Sequence, residues 1–340
     1  MEIKRDVPLK ELTTFKIGGS ADFFCSVTST VELVEACQFA KQQKLPIFIL
    51  GGGSNVLIPD QGFRGMVIQI AILGINFEER IGGVVLLRVG SGENWDRVVD
   101  TTVERSLYGL ENLSAIPGSV GASVIQNIGA YGAEVKNTLI SVEVFDTESM
   151  ESRSLTKEEC NLRYRNSLFK QSEGKKYIVT AITLSLQKEK TLFLEYPDLA
   201  NYFKERDEST ITLRDVRDAV ISIRKSKLPD LTVLGTAGSF FKNPILSIEE
   251  YANLKEKYPE LPSFPDEGGK RKVPAGWLID QTGGFKGYRV NSVGVYEKQA
   301  LVLVNYGGGS AAEVLELANK IEISIKEKTG ITLEREVCVL

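Results

Sequence analysis

The spacing of apolar and polar residues divides the chain into short strands and amphipathic helices. Residues 30–44 carry apolar positions at helical spacing behind Thr30, a residue type that caps helix starts, and predict a helix. The apolar run Leu45–Leu50 predicts a strand that enters Gly51-Gly52-Gly53-Ser54-Asn55 directly, and Val56–Ile58 predicts another strand beyond it. Strand-like runs follow at 66–70 and 84–90, then a helix around 94–106. Residues 139–146 and 177–187 read as strands. Between these elements, residues 113–134 show no clean period and are rich in Gly, Ala, Ser and Asn. Such a stretch predicts a loop that serves a ligand or a close backbone contact.

The first domain is expected to close near 190–205, and a second α+β domain to run over 206–325. Thr212 predicts the start of a helix reaching about Ser226, and Ser247-x-x-Glu250 and Ser310-x-x-Glu313 are capping boxes that open two more. Gly330 sits where a glycine ends a helix, and Ile331–Leu340 predicts a closing strand. On that strand Ile331, Leu333, Arg335, Val337 and Val339 form a mostly apolar face expected to meet the core. Glu334 and Glu336 share the other face, and parity does not choose between solvent and a cleft for them.

Composition narrows the chemistry. The 340 residues are 42% hydrophobic and 25% charged, ordinary for a globular chain of two or three domains. A formal charge of −4 offers no footprint for nucleic acid or anionic lipid. No apolar run approaches the ~18 residues of a spanning helix, and the N-terminus has no secretory signal, so a cytoplasmic protein is expected. Histidine is absent. That removes Ser-His-Asp, Cys-His and His-metal mechanisms, and leaves acid–base work to Ser, Tyr, Lys, Cys, Asp or Glu. Cys25, Cys37, Cys160 and Cys338 form no C-x-x-C pair; buried thiols are expected, and no metal site.

Successive N–H groups of Gly51–Asn55 can converge on an anion, although a tight turn explains the same glycines. The strand–loop–strand context excludes a Rossmann fingerprint, whose glycines open a helix. A second loop adds Gly118, Gly121, Gly129 and Gly132, with Ser119 and Asn127 interleaved. Two such loops can grip a diphosphate through backbone donors, and a dinucleotide such as FAD is the expected ligand. Arg165, in Tyr164-Arg165-Asn166-Ser167, can hold a carboxylate bidentately, though taken alone it reads more readily as a surface or structural residue. Ser239, in Ala237-Gly238-Ser239, has no histidine to activate it as a nucleophile. It can still donate a proton to a strongly basic carbanion, or serve only in a turn.

The stretches Thr14–Gly18, Gly51–Asn55, Ile116–Val135, Tyr164–Lys170, Ala237–Pro244, Pro274–Gln281, Gln299–Asn305 and Leu333–Val337 cover nearly the whole chain in order. Together they resemble the UDP-N-acetylenolpyruvoylglucosamine reductase family (also called UDP-N-acetylmuramate dehydrogenases), flavoenzymes of bacterial peptidoglycan synthesis. The resemblance implies an α+β fold with an FAD-binding part of vanillyl-alcohol-oxidase type in two subdomains, 1–70 and 71–205. A substrate-binding domain at 206–325 and a C-terminal strand at 326–340 would come after it. It implies that Gly51, Gly52, Gly53, Ser54, Asn55, Pro117, Gly118, Ser119, Gly121, Asn127, Gly129, Ala130 and Gly132 hold FAD.

The implied reaction takes hydride from NADPH through FAD to C3 of the enolpyruvyl ether of UDP-N-acetylglucosamine, giving UDP-N-acetylmuramate. Arg165 would neutralise charge at the carboxylate, Glu336 would assist enolate stabilisation, and Ser239 would protonate C2. Glu336 is chosen over Glu334 because it aligns with the family's glutamate. Tyr196 matches a tyrosine on a mobile loop that covers the UDP part in one subclass. Tyr164, Arg224, Lys227, Asn243 and Gln299 would touch substrate or its diphosphate, and a monomer is expected. Asn166, Thr236 and Cys338 depart from the family's usual Asp, Asn and Arg. The competing readings are an FAD-dependent sugar or hydroxy-acid oxidase of the same fold and a non-catalytic nucleotide-binding module.

Overall fold

The computed structural model describes residues 1–340, which form two compact units. The first unit comprises Met1–Val7, Ala21–Gly52 and Arg64–Ser226; the second comprises Pro8–Ser20, Gly53–Phe63 and Lys227–Leu340.

In the first unit, β1 (Lys4–Pro8), β2 (Ser20–Val27), β3 (Ile47–Leu50) and β4 (Phe63–Ile70) make a sheet in the order β1-β2-β4-β3, with β3 and β4 parallel. Helix α1 (Thr30–Gln42) lays Leu33, Ala36, Cys37 and Ala40 against Met66 and Ile68 of β4. A second sheet holds β5 (Ile75–Glu79), β6 (Val84–Gly90), β7 (Leu139–Asp146), β8 (Glu151–Thr156) and β9 (Tyr177–Gln187). Its order is β8-β7-β9-β6-β5, antiparallel throughout. Its apolar face packs on Trp95, Val98 and Val99 of α2 (Trp95–Glu104) and on Val120 and Val124 of α3 (Val120–Ile125).

Two further helices, α4 (Pro197–Phe203) and α5 (Leu213–Lys227), share a small core of Leu199, Phe203, Val216, Ala219 and Val220. Residues 206–226 therefore pack in the first unit, whereas their texture grouped them with the C-terminal half of the chain. An ion network holds them there. Arg217, only 7% exposed, reaches Asp96 at 2.6 Å and Asp100 at 2.9 Å, and Arg214 reaches Asp100 at 2.8 Å. Arg217→Met strips two part-exposed carboxylates of this partner, and about 2 kcal/mol of stability, the scale of hydrogen bonds to charged groups, is expected to go with it. Thermal unfolding checks this; an unchanged melting temperature would show that water replaces the guanidinium.

The second unit is built on α6 (Ile248–Lys257) and α7 (Ala311–Thr329) with short strand pairs. Val314, Leu317, Ala318, Ile321 and Ile325 of α7 pack among Leu278, Ile279, Phe285, Val293 and Val295. Phe15, Ile17 and Leu57 from the two early segments complete that core. Both predicted capping boxes form, and Gly330 ends α7 at φ 76°. Thr212 caps α5: its hydroxyl accepts from Asp215 N at 3.1 Å, and the Asp215 carboxylate accepts from Thr212 N at 2.8 Å.

Four expectations are corrected. Ser29, not Thr30, caps α1 and accepts from Glu32 N at 3.2 Å. The 113–134 segment contains α3 and a small hairpin of Gly129–Ala130 with Ala133–Glu134. The terminal segment joins a ladder only at Cys338–Val339, parallel to Val56–Leu57, because its backbone changes partners. Glu334 O and Glu336 N pair with Lys242 and Phe240; Cys338 N and Leu340 N turn to Asn55 and Leu57. Its apolar face accordingly stops at Val337, which is 4% exposed, while Val339 is 38% exposed. Finally, Cys25, Cys37 and Cys160 are buried but Cys338 is exposed. Burial pushes the Cys25 and Cys160 thiols up to about 12 and that of Cys37 to about 11. No helix is long and apolar enough to cross a membrane.

Candidate active site

In the first unit, Gly51 and Gly52 leave β3 and lie against Gly118 and Ser119 at the entry to α3. A Cβ on Gly51 would stand 2.5 Å from Ser119 Oγ, and one on Gly52 would stand 2.7 Å from Gly118 Cα. Gly118 takes φ +123°, a backbone state that a side chain rarely adopts. Gly121 meets Ser91 just as closely, with its N–H donating to Ser91 O at 2.9 Å. Two backbone runs thus meet with no side chain between them. Such a bare cradle of peptide groups suits a diphosphate, so the residues present fit FAD. Gly53 lies in the second unit, at φ +63°, with its carbonyl accepting from Thr14 N at 3.0 Å.

Other expected cofactor residues have protein partners. Asn55 Nδ2 donates to Glu336 O at 3.3 Å. Asn127 is fully buried; its Nδ2 donates to Glu134 and to Arg163 O, and its Oδ1 accepts from Lys136 N. Gly129 O accepts from Arg165 Nη2 at 3.0 Å, and Gly132 lies against the Phe193 ring. Asn127, Gly129 and Gly132 shape the loop that holds Arg165 and the segment leading to Tyr196.

Arg165 sits on a tight turn closed by the Arg163 and Asn166 backbone pair, at φ 49°. Its guanidinium lies 5.4 Å from the Tyr164 ring centroid. Asn166 Oδ1 accepts from Ser167 N at 3.0 Å and Gln171 Nε2 at 2.9 Å, so the amide oxygen does the work a carboxylate would do there. Tyr196 precedes α4 and packs edge-on against Tyr131 at 5.4 Å. Arg224, on α5, donates to Ala115 O at 3.2 Å and bonds the Tyr131 hydroxyl. Burial pushes the Tyr131 phenol up to about 12 and pulls the Arg224 pKa below its usual range.

Tyr131 and Asn112 were missed by the sequence reading. Asn112 Nδ2 donates to Tyr131 O and Phe193 O, at 2.8 and 2.9 Å. The signal for Tyr131 was its place between Ala130 and Gly132: a large ring inside a run of small residues.

In the second unit, Ser239 forms an antiparallel bridge with Val302. The next residue, Phe240, accepts from Glu336 N at 2.8 Å. Ser239 and Glu336 therefore ride on adjacent extended segments. Glu334 is separated from them chemically: its side chain is 71% exposed and paired with Lys242. Glu336 is half-buried. Asn243 Oδ1 accepts from Ala275 N at 2.9 Å, and Gln299 Oε1 accepts from Leu301 N at 3.3 Å. Lys227 ends α5.

Residues 21–150 match the FAD binding domain family, and residues 230–340 match the C-terminal domain of UDP-N-acetylenolpyruvoylglucosamine reductase. The chain is 42% identical to the UDP-N-acetylenolpyruvoylglucosamine reductase of Porphyromonas gingivalis over 99% of both chains. It is 40% identical to that of Chromobacterium violaceum, over 100% of this chain and 99% of the other. The crystal structure of the Thermus caldophilus reductase superposes with a TM-score of 0.69 at 27% identity, covering 100% of this chain and 99% of that one. With both domain families matched in order and this identity sustained from end to end, the chain belongs to the UDP-N-acetylenolpyruvoylglucosamine reductase family.

Proposed function

We infer that this chain reduces the enolpyruvyl ether of UDP-N-acetylglucosamine to UDP-N-acetylmuramate, a step in making peptidoglycan precursors. The observation that carries this is the end-to-end identity of 42% with a reductase of that name. It is an FAD-dependent oxidoreductase, and NADPH is the proposed hydride donor. Gly51, Gly52, Gly118, Ser119 and Gly121 are the proposed diphosphate cradle, with Gly53, Ser54 and Pro117 beside them in sequence.

When bound, FAD supplies the redox-active ring that carries hydride from NADPH to C3 of the substrate. Reduction at C3 places negative charge at C2 and on the attached carboxylate. Arg165 binds that carboxylate and neutralises the developing charge. Glu336 supports the enolate by hydrogen bonding. Ser239 Oγ–H delivers the proton to C2. Serine is a weak acid by the usual matching rule, but this acceptor is far more basic than water. No histidine is needed for the sequence of events. Tyr164, Tyr196, Arg224, Lys227, Asn243 and Gln299 complete the proposed substrate set.

A monomer is the proposed working unit. The free buried thiols support a reducing, cytoplasmic setting. The test is anaerobic NADPH consumption with and without UDP-N-acetylglucosamine enolpyruvate. Stoichiometric, substrate-dependent loss of NADPH absorbance is expected. Flavin that is indifferent to this substrate but reduced by sugars or hydroxy acids would point to an oxidase instead.

A further inference from the structure

We infer that Thr236 is a positioning residue for Ser239, acting through a hydroxyl bridge that fixes a β-bulge; this rests on Ser239 being the proton donor.

The bulge is visible in the pairing. Gly235 pairs with Asn305, and Ser239 pairs with Val302. The chain therefore takes one more residue from 235 to 239 than the opposing strand takes from 305 to 302. An extra residue in one strand bends it and re-aims the side chains beyond it. Gly238 supplies the bend at φ +77°, and a Cβ there would meet nothing within 4 Å, so its glycine answers to the dihedral and not to crowding.

The ladder cannot reach every peptide group in such a bulge. Thr236, 3% exposed, fills the gap. Its Oγ1 donates to Leu303 O at 2.7 Å and accepts from Gly238 N at 3.1 Å. Its backbone is clasped from the other side: Thr236 N donates to Thr14 O at 3.0 Å, and Thr14 Oγ1 donates to Thr236 O at 2.6 Å. One hydroxyl thus ties the residue before Ser239 to the facing strand. Thr236 touches no reacting atom; it fixes the direction from which Ser239 Oγ approaches.

The test uses the FAD-loaded enzyme and times the two half-reactions separately. Thr236→Val keeps the shape and removes the hydroxyl. A small misaim of a catalytic group costs up to about 100-fold, so reduction of the enolpyruvyl substrate is expected to slow about 30-fold. That loss should fall on kcat with KM little changed, while NADPH reduction of the flavin and the FAD dissociation constant stay as in the parent. Thr236→Ser restores the bridge and should return the rate to within about threefold. A merely structural threonine would lower the melting temperature without this split between half-reactions. If Thr236→Val fails to fold, Gly238→Ala decides: it strains the bulge without a clash, and a loss confined to the second half-reaction upholds the inference. Both half-reactions unchanged, in whichever variant folds, overturns it. Ser239→Ala serves as the control; if that variant is itself unimpaired, the proton-donor reading fails first.

Discussion

Replacing Ser239 by alanine is expected to leave flavin reduction by NADPH at its parental rate and to slow reduction of the enolpyruvyl substrate by about 10²–10⁴-fold, the range of a lost general acid. The asymmetry comes from where the hydroxyl acts. Hydride transfer from NADPH creates no carbanion, so nothing in that step needs the Ser239 proton. The segment is also held by its backbone, through the Val302 bridge and the Phe240–Glu336 hydrogen bond. Removing one oxygen from a strand so anchored leaves the fold in place. Rapid mixing with NADPH, then with substrate, separates the two rates. An equal fall in both would assign Ser239 to structure.

Gly52→Ala is expected to yield protein that loses flavin on gel filtration, with FAD affinity down about 5- to 150-fold. The new methyl would meet Gly118 Cα at 2.7 Å and Gly118 C at 2.9 Å. Both are backbone atoms, and no rotamer relieves the clash. The two loops must part, and overpacking of this kind costs about 1–3 kcal/mol. That cost falls on the surface proposed to hold the diphosphate. Flavin absorbance per mole of protein, with FAD titration of the stripped enzyme, measures it. A variant that keeps a full complement of FAD would place the diphosphate elsewhere.

Much of the local structure was legible because its signals are local. Capping boxes at Ser247 and Ser310, the αL glycine at 330 and the apolar runs of β3, β6, β7 and β9 each depend on a few adjacent residues. Family motifs point to Ser239 and Glu336, whose roles are proposals; the structure adds that Glu334 is paired with Lys242 at the surface. What escaped depends on distant partners. The terminal strand broke because residues 334–336 and 338–340 pair with different segments, which alternation along one strand does not encode. The α5 helix joined the first unit because Arg217 finds carboxylates on α2. Tyr131 carries a ring inside a run whose local signal is its glycines.

The threading of the chain bears on how it is made. The second unit draws Pro8–Ser20 and Gly53–Phe63 from the start of the chain and the rest from Lys227 onward. On the ribosome, Gly53–Phe63 waits for about 160 further residues, and Pro8–Ser20 for about 200, before Lys227 appears. At ~5–20 residues per second, the wait is about 8–40 s. During it Phe15, Ile17 and Leu57 have no completed core to enter. The first unit can meanwhile gather its two sheets, but the second cannot complete its core until residues beyond 227 have emerged. Nascent chains stalled before residue 227 are therefore expected to leave Phe15, Ile17 and Leu57 without their core partners from the second half of the chain.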